Sequence, residues 1–338
     1  MSRPAAPRTG AEGDPAAEFR AAHETAIVAD LAGRGRLGIS GADAADLMHR
    51  LTTNSIRDLK PGEGRPAVFA TAKGRIIDLV LFHRFDEEFL CTTGEGRANA
   101  VASWIDRYTF RDDVRVDDRS LTHRTIGIYG TKAADVASSL CPAAAAGWPA
   151  HHAERFDREG IEGVLARTCP LAGEGFLATV IAARAPALID RLLERHAGTR
   201  TAGPDALEAL RIEAGMPAPG RELTEDYNPW EAGLADAVDL NKGCYVGQEV
   251  IARLNTYDKV SKNLVRLKIA GPDMPPSGSA LEIDGRRTGT LTSVAVVPGE
   301  DRIIGLGYVQ DEHAEGGMKL HVAAPGGRIG ATIEGPAR

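Results

Sequence analysis

Hydrophobic and polar positions along the chain switch repeatedly between a two-residue and a helical period. Residues 37–40 read as a strand, and 42–51 as a helix entered through Gly41. Strands are expected at 68–71, 75–83 and 88–92, with Lys73-Gly74 as a tight turn between the first two. From 97 to 108, Ala98, Val101, Ile105 and Tyr108 recur at helical spacing, which predicts one buried helical face. A second unit repeats the order: strand 125–129, helix 132–140, strands 163–167 and 175–181, and helix 187–196. Pro186 starts that last helix and Gly198 stops it, with Arg195 and His196 suited to the negative end of its dipole. A further helix begins at Pro204 and ends before Gly215 and Pro217, with Leu207, Leu210 and Ala214 as its apolar stripe.

After Tyr257 the texture changes. Short strand patterns at 264–269, 280–283, 287–297, 302–309, 319–323 and 328–333 are separated by Gly/Pro/Asp turns, the pattern of a small antiparallel barrel. The expected class is α+β: two α+β units followed by a C-terminal antiparallel β-barrel. The expected divisions are a disordered tail at 1–20, units at 21–120 and 121–258, and a barrel at 261–338, with the boundary near 258–261.

Composition narrows the function classes. The 338 residues are 43% hydrophobic and 26% charged, with 40 Lys and Arg against 47 Asp and Glu and a net charge of −7. No dense basic run exists to track a polyanion, so direct DNA binding is not expected. A membrane-spanning helix needs ~20 consecutive apolar residues. The longest apolar stretch, 75–85, is broken by Asp78, His83 and Arg84. Cys91, Cys141, Cys169 and Cys244 form no CxxC pair and no metal-ligand spacing, so no metal site and no disulfide framework is expected. The first residues, rich in Ala, Pro and Gly with mixed charges, lack the apolar core of a secretory signal. A cytoplasmic location is the expectation.

Most candidate motifs have simple structural readings. Gly33 to Gly38 satisfies GxGxxG by letter, but a strand pattern follows where a dinucleotide site needs a helix to open. The nine histidines show no HxxxH or HExxH pattern, and no GxSxG occurs. Glu213 stands at the edge of an apolar stripe in the last turn of its helix, where the dipole disfavours a carboxylate by roughly 0.3–1 kcal/mol. The run KGCYVGQE at 242–249 places Cys244 between Lys242 and an expected helix at 248–254. Cation and helix terminus both favour thiolate, against the alternative of a small packing residue at a turn.

These residues carry a resemblance. KGCYVGQEVIAR resembles the signature of the YgfZ-type folate-binding proteins, iron–sulfur-cluster assembly relatives of the glycine-cleavage T-protein (aminomethyltransferase). ISGADAADLMHRLTTNSIRDLKPGEG, AKGRIIDLVLF, LRIEAGMP, NPWEAGL, GRRTGTLTSV and GLGYV resemble further blocks of the superfamily, from about residue 37 to 309. The resemblance implies a cloverleaf of three parts around a central channel that holds tetrahydrofolate. It implies that Glu213 pairs with the folate ring, that Asp78 lies near the reacting folate nitrogens, and that Lys242 stands on the cofactor side. Glu231 belongs to a shared block without an assigned role. Cys244 is the residue that separates the YgfZ type from the T-protein. Chemistry agrees with these implications. A pterin edge of amide and amino groups suits a carboxylate. Asp78, set among isoleucines and leucines, would have its pKa raised by desolvation, which suits proton handling.

Three functions are consistent with this reading. The first is a tetrahydrofolate-binding accessory protein supporting assembly or repair of [4Fe–4S] enzymes, including tRNA-modifying ones, with iron–sulfur assembly proteins or client enzymes as partners. The second is one-carbon transfer to tetrahydrofolate of the aminomethyltransferase type, with Asp78 and Cys244 as the chemistry-bearing candidates. The third is a folate-binding scaffold without chemistry.

Overall fold

The computed structural model describes residues 13–256 and 260–337. Its first helix, α1 (Pro15–Glu24), takes up residues that the sequence pattern assigned in part to a disordered tail. The cause is local. Asp14 accepts the backbone N–H groups of Ala16 and Ala17, both at 3.1 Å, and Pro15 fills a first-turn position that needs no N–H. Phe19, Ala21 and Ala22 are then buried. Residues 1–12 of the expected tail lie outside the described residues.

The chain continues through β1 (Ile27–Asp30), β2 (Arg34–Ser40), α2 (Ala44–Leu51), β3 (Gly64–Ala70), β4 (Ile76–Arg84), β5 (Glu88–Glu95), α3 (Ala98–Tyr108) and β6 (Arg115–Asp118). Five of these strands form an antiparallel sheet in the order β3-β4-β5-β2-β6. One face of it, with Leu37, Ile39 and Phe82, packs on Leu47 and Met48 of α2 and on Val101 and Ile105 of α3. Those two α3 residues are the ones whose helical spacing marks the face in the sequence.

Next come β7 (His123–Gly130), α4 (Ala133–Ser138), β8 (Ala153–Arg158), β9 (Ile161–Arg167), β10 (Glu174–Ile181), α5 (Ala185–Arg195), β11 (Arg200–Thr201), α6 (Pro204–Glu213) and α7 (Gln248–Thr256). The second sheet has six strands, β11-β1-β7-β10-β9-β8. Here the structure departs from the expected division into 21–120 and 121–258. Strand β1 lies in the second sheet, antiparallel to β7 from Ile27↔Tyr129 to Asp30↔Ile126 and parallel to β11. Its residues Ile27, Val28 and Ala29 are all buried, and a strand apolar on both faces needs cover on both sides. The buried side of α6 also differs from the expected stripe. Ala206, Ala209, Leu210 and Ile212 are buried while Leu207 is half-buried, and the alanines let α1 pack against this helix.

Strands β12 (Lys262–Ile269), β13 (Ala280–Ile283), β14 (Arg286–Val296), β15 (Ile303–Gln310), β16 (Lys319–Ala324) and β17 (Gly327–Pro336) close into an antiparallel barrel, as the turn spacing predicts. Of the boundary expected at 258–261, residues 258 and 259 lie outside the described residues. Leu267, Leu281, Leu291 and Val322 form the barrel core. A separate cluster joins all three parts: Ile27 and Val68 from the two sheets, Leu210 from α6, and Leu264, Leu306 and Tyr308 from the barrel. Among the described residues, no helix is long and apolar enough to cross a membrane.

Candidate functional site

Strand β4 carries Asp78 into the interior, at 0% exposure. The N–H of Gly94 on β5 donates to Asp78 Oδ2 at 2.9 Å, while Oδ1 is buried without a partner. Burial pushes the carboxyl pKa up to about 6, against the opposing pull of the Gly94 N–H and of Arg97. Arg97 is fixed by donating from Nη2 to Ile77 O at 2.7 Å. A Cβ on Gly94 would lie 2.6 Å from Asp78 Oδ1 and 2.4 Å from Pro219 Cγ, so glycine lets the loop after α6 close over the carboxylate. The charge of Arg34 acts on both Asp78 and the buried Tyr129 phenol. Asp78 is thus a carboxyl group with one free oxygen, near cations, whose proton is exchangeable near neutral pH. That combination suits accepting and returning a proton.

The Lys242 ammonium reaches the edge of the same row of the first sheet from outside the sheet. Thr52 bridges Phe69 of β3, and Phe69 pairs with Asp78, at a spacing of about 5 Å per strand. The Lys242 ammonium donates to three carbonyls, those of His49 (2.5 Å), Thr52 (2.7 Å) and Asn54 (2.6 Å). These acceptors lie at and just beyond the C-terminal end of α2, where carbonyls lack helical partners. Burial pushes the Lys242 pKa down to about 7. The three short contacts match the three protons of the charged form, which the geometry therefore favours. All three donors are engaged inside the protein, so the cofactor-side role that the resemblance implies would require the ammonium to leave them.

Lys242 also holds the turn on its C-terminal side. Its Nζ stands 5.0 Å from the centre of the Tyr245 ring, and the Tyr245 hydroxyl is buried without a partner, its pKa pushed up to about 12 by burial. Between these two buried anchors Gly243 and Cys244 are exposed. Cys91 and Cys141 are buried, and burial raises both thiols. Helix α7 begins four residues after Cys244, at Gln248.

The two other candidate carboxylates are engaged by the protein. Glu213 Oε2 meets His23 Nε2 of α1 at 2.9 Å, and Oε1 accepts from Arg302 at 2.9 Å. Both oxygens are taken, and a folate-ring role would require these contacts to open. Its awkward place at a helix end is explained by these two partners, the Arg302 guanidinium and the His23 ring. Glu231 is buried, and its Oε2 accepts the Asn228 N–H at 3.0 Å while Asn228 Oδ1 accepts the N–H groups of Trp230 and Glu231. This reciprocal turn has the bond pattern of a capping box, although the chain continues as turns and not as an α-helix. Ser261 donates to Oε1 at 3.0 Å, tying the turn to the start of the barrel.

The structure therefore brings Asp78 and Lys242 to one region of the first sheet, presents Cys244 beside it, and places Glu213 at the junction of α1 with the barrel. Arg34, Gly94 and Arg97 were not singled out by the sequence. Arg34 lies inside the GxGxxG run, Gly94 matters only through its cross-strand position, and Arg97, at the start of α3, only through its reach to the Ile77 carbonyl. Among the described residues, no group of three or more His, Cys, Asp or Glu could hold a metal ion.

Comparison with known proteins adds family evidence. The "GCVT N-terminal domain" profile matches residues 5–242, and the "Glycine cleavage T-protein C-terminal barrel domain" profile matches 262–336. The chain is 32% identical over 298 residues to "Putative transferase At1g60990, chloroplastic" of Arabidopsis thaliana, covering 88% of this chain and 68% of that protein. It is 32% identical over 308 residues to the aminomethyltransferase of Rubrobacter xylanophilus, covering 90% and 81%. The crystal structure of the glycine cleavage system aminomethyltransferase T from Bartonella henselae superimposes with a TM-score of 0.81 over 96% of this chain and 91% of that one. At 21% identity, that likeness establishes the fold.

Proposed function

This chain belongs to the glycine cleavage T-protein family, and on that premise we propose that it is a tetrahydrofolate-binding accessory protein supporting assembly or repair of iron–sulfur enzymes, tRNA-modifying ones included. The observation that carries this reading is the KGCY element: Lys242 and Tyr245 are buried as anchors, and Cys244 between them is turned to solvent. A thiol held outward on a fixed turn can meet a partner's thiol or cluster, which a buried packing cysteine cannot. The orphaned Asp78 Oδ1 fits a folate ring nitrogen, and bound tetrahydrofolate would supply a carrier for one-carbon units. Asp78 would orient that nitrogen and hold its proton. Partners are iron–sulfur assembly proteins or client enzymes.

A second reading, aminomethyltransferase-type transfer, is favoured by the same Asp78, since a carboxyl pushed up to about 6 can exchange a proton at neutral pH. A deletion strain separates the two. Loss of [4Fe–4S] enzyme activity with normal glycine-cleavage flux is expected. Loss of glycine-cleavage flux alone would select the transferase. Complementation with Cys244→Ser is expected to leave folding and folate binding intact but to fail in restoring the iron–sulfur enzymes. Full rescue would make Cys244 structural.

A further inference from the structure

The first and second sheets also flank a cleft of about 470 Å³, whose wall includes none of Asp78, Glu213, Glu231, Lys242 and Cys244. Arg36 of β2 belongs to that wall and is 0% exposed. Its Nη2 donates to the carbonyls of Ser120 (2.6 Å) and Ala32 (3.3 Å), while Nε and Nη1 are buried with no partner. A guanidinium does not give up its proton in a protein. Asp30 and Asp118 act on Arg36 only at a distance, and Arg124 repels it. Three carboxylates line the same cleft: Glu88 is already held in a two-point pair by Arg119 at 3.0 and 2.7 Å, while Asp157 and Glu162 are exposed and are not hydrogen-bonded to Arg36. The interior therefore contains a permanent cation that no carboxylate among the described residues pairs with directly. Burying a charge in this way is costly unless something pairs with it.

The rest of the wall is mixed, with His123, Arg155, Asp157, Glu162 and Thr179 beside an apolar patch. Phe85, Leu90 and Val164 form that patch, with the Arg155 guanidinium over the Phe85 ring at 4.7 Å, and Ile181, also in the lining, is 53% exposed. The volume falls within the range of small-molecule sites. We propose that this inter-sheet cleft binds a small organic anion, with its carboxylate or phosphate on Arg36 and its apolar body against Phe85, Leu90 and Val164. The site is separate from the one around Asp78, and its test does not depend on folate.

The full chain would be titrated with benzoate, phenyl phosphate and inorganic phosphate by calorimetry, with the arginine Nε–H resonances followed by NMR. Benzoate or phenyl phosphate is expected to bind and to shift the Arg36 Nε–H signal in step with saturation; which of the two binds tighter identifies the anionic group. Inorganic phosphate, without an apolar body, is expected to bind roughly tenfold more weakly or worse. Arg36→Met should lose at least about tenfold in affinity. If that variant does not fold, Val164→Phe, which fills the cleft and leaves Arg36 in place, should lose as much. Absence of binding up to about 10 mM, or binding that moves the Arg119 or Arg155 signals but not that of Arg36, would overturn the proposal. Equal binding of inorganic phosphate would overturn its organic part.

Discussion

Asp78 shows how one buried carboxyl couples stability to pH. Its folded pKa of about 6 lies above the ordinary value of 3.8, so the folded state holds this proton more tightly than the unfolded chain does. Stability from this group is therefore present below about pH 4 and is lost as pH rises through 6. Two pH units correspond to roughly 3 kcal/mol. Asp78→Asn, which does not ionise, is expected to gain in melting temperature relative to the parent between pH 5 and pH 8; a pH-independent difference would contradict the buried-carboxyl assignment. Lys242 makes the opposite case, since removing it leaves three carbonyls unpaired. Lys242→Met should cost about 3 kcal/mol in denaturant unfolding, whereas a loss below about 1 kcal/mol would mean that water replaces the ammonium. The apolar setting of Asp78 is legible in the chain, as IIDLVL. The acceptors of Lys242 are not, because they lie nearly two hundred residues upstream, where no periodicity links them to KGCY.

At the scale of elements, α1 was the part least legible in the sequence. Its composition is that of a flexible tail, and only the Asp14-Pro15 start and the lone Phe19 signal a helix. Tertiary contact decides the matter: Phe19 enters the cluster shared with Leu210 of α6, and α1 packs along that helix. Phe19→Ala is expected to destabilise the protein by about 3–5 kcal/mol, measured by chemical denaturation. Glu213 ties the same helix to α6 and to Arg302 of the barrel through contacts that are partly exposed. Glu213→Gln therefore separates two roles. As a staple it should cost less than about 1 kcal/mol in stability and leave tetrahydrofolate affinity unchanged, the outcome that its occupied oxygens favour. As a pterin anchor it would instead cost roughly 1.5–3 kcal/mol in binding, which calorimetry on the same variant would register. The barrel strands were the most legible elements, because Gly/Pro/Asp turns punctuate them at short intervals.

At the scale of the whole molecule, the three parts read from the sequence are not three independent bodies. The sequence pattern assigns no strand to 27–30, because this four-residue run is too short to show a period, and nothing local says that it joins the second sheet. The barrel likewise contributes Leu264, Ala295, Ile304, Leu306 and Tyr308 to a cluster that includes Val68 and Ile76 of the first sheet. A polar network reinforces this junction. Glu222, fully buried, accepts from Ser293 of β14 at 2.6 Å, from Arg211 of α6 at 3.3 Å and from the Ala218 N–H at 2.9 Å, while the Tyr308 hydroxyl donates to Glu222 O at 2.8 Å. Because these links and the apolar cluster cross the same boundary, the barrel should have no folded state of its own separate from the α+β layers. Glu222→Ala removes the central acceptor of the Ser293 hydroxyl and the Ala218 N–H, while Arg211 keeps Glu208 and the Met216 carbonyl, and should cost about 1–3 kcal/mol. The loss should appear as one cooperative transition shifted to lower denaturant, coincident by far-UV circular dichroism and by fluorescence from the three tryptophans, Trp104, Trp148 and Trp230, all of which lie outside the barrel. A barrel transition that stays in place while the tryptophan signal moves would show that the barrel folds alone and that the common core is only a contact surface.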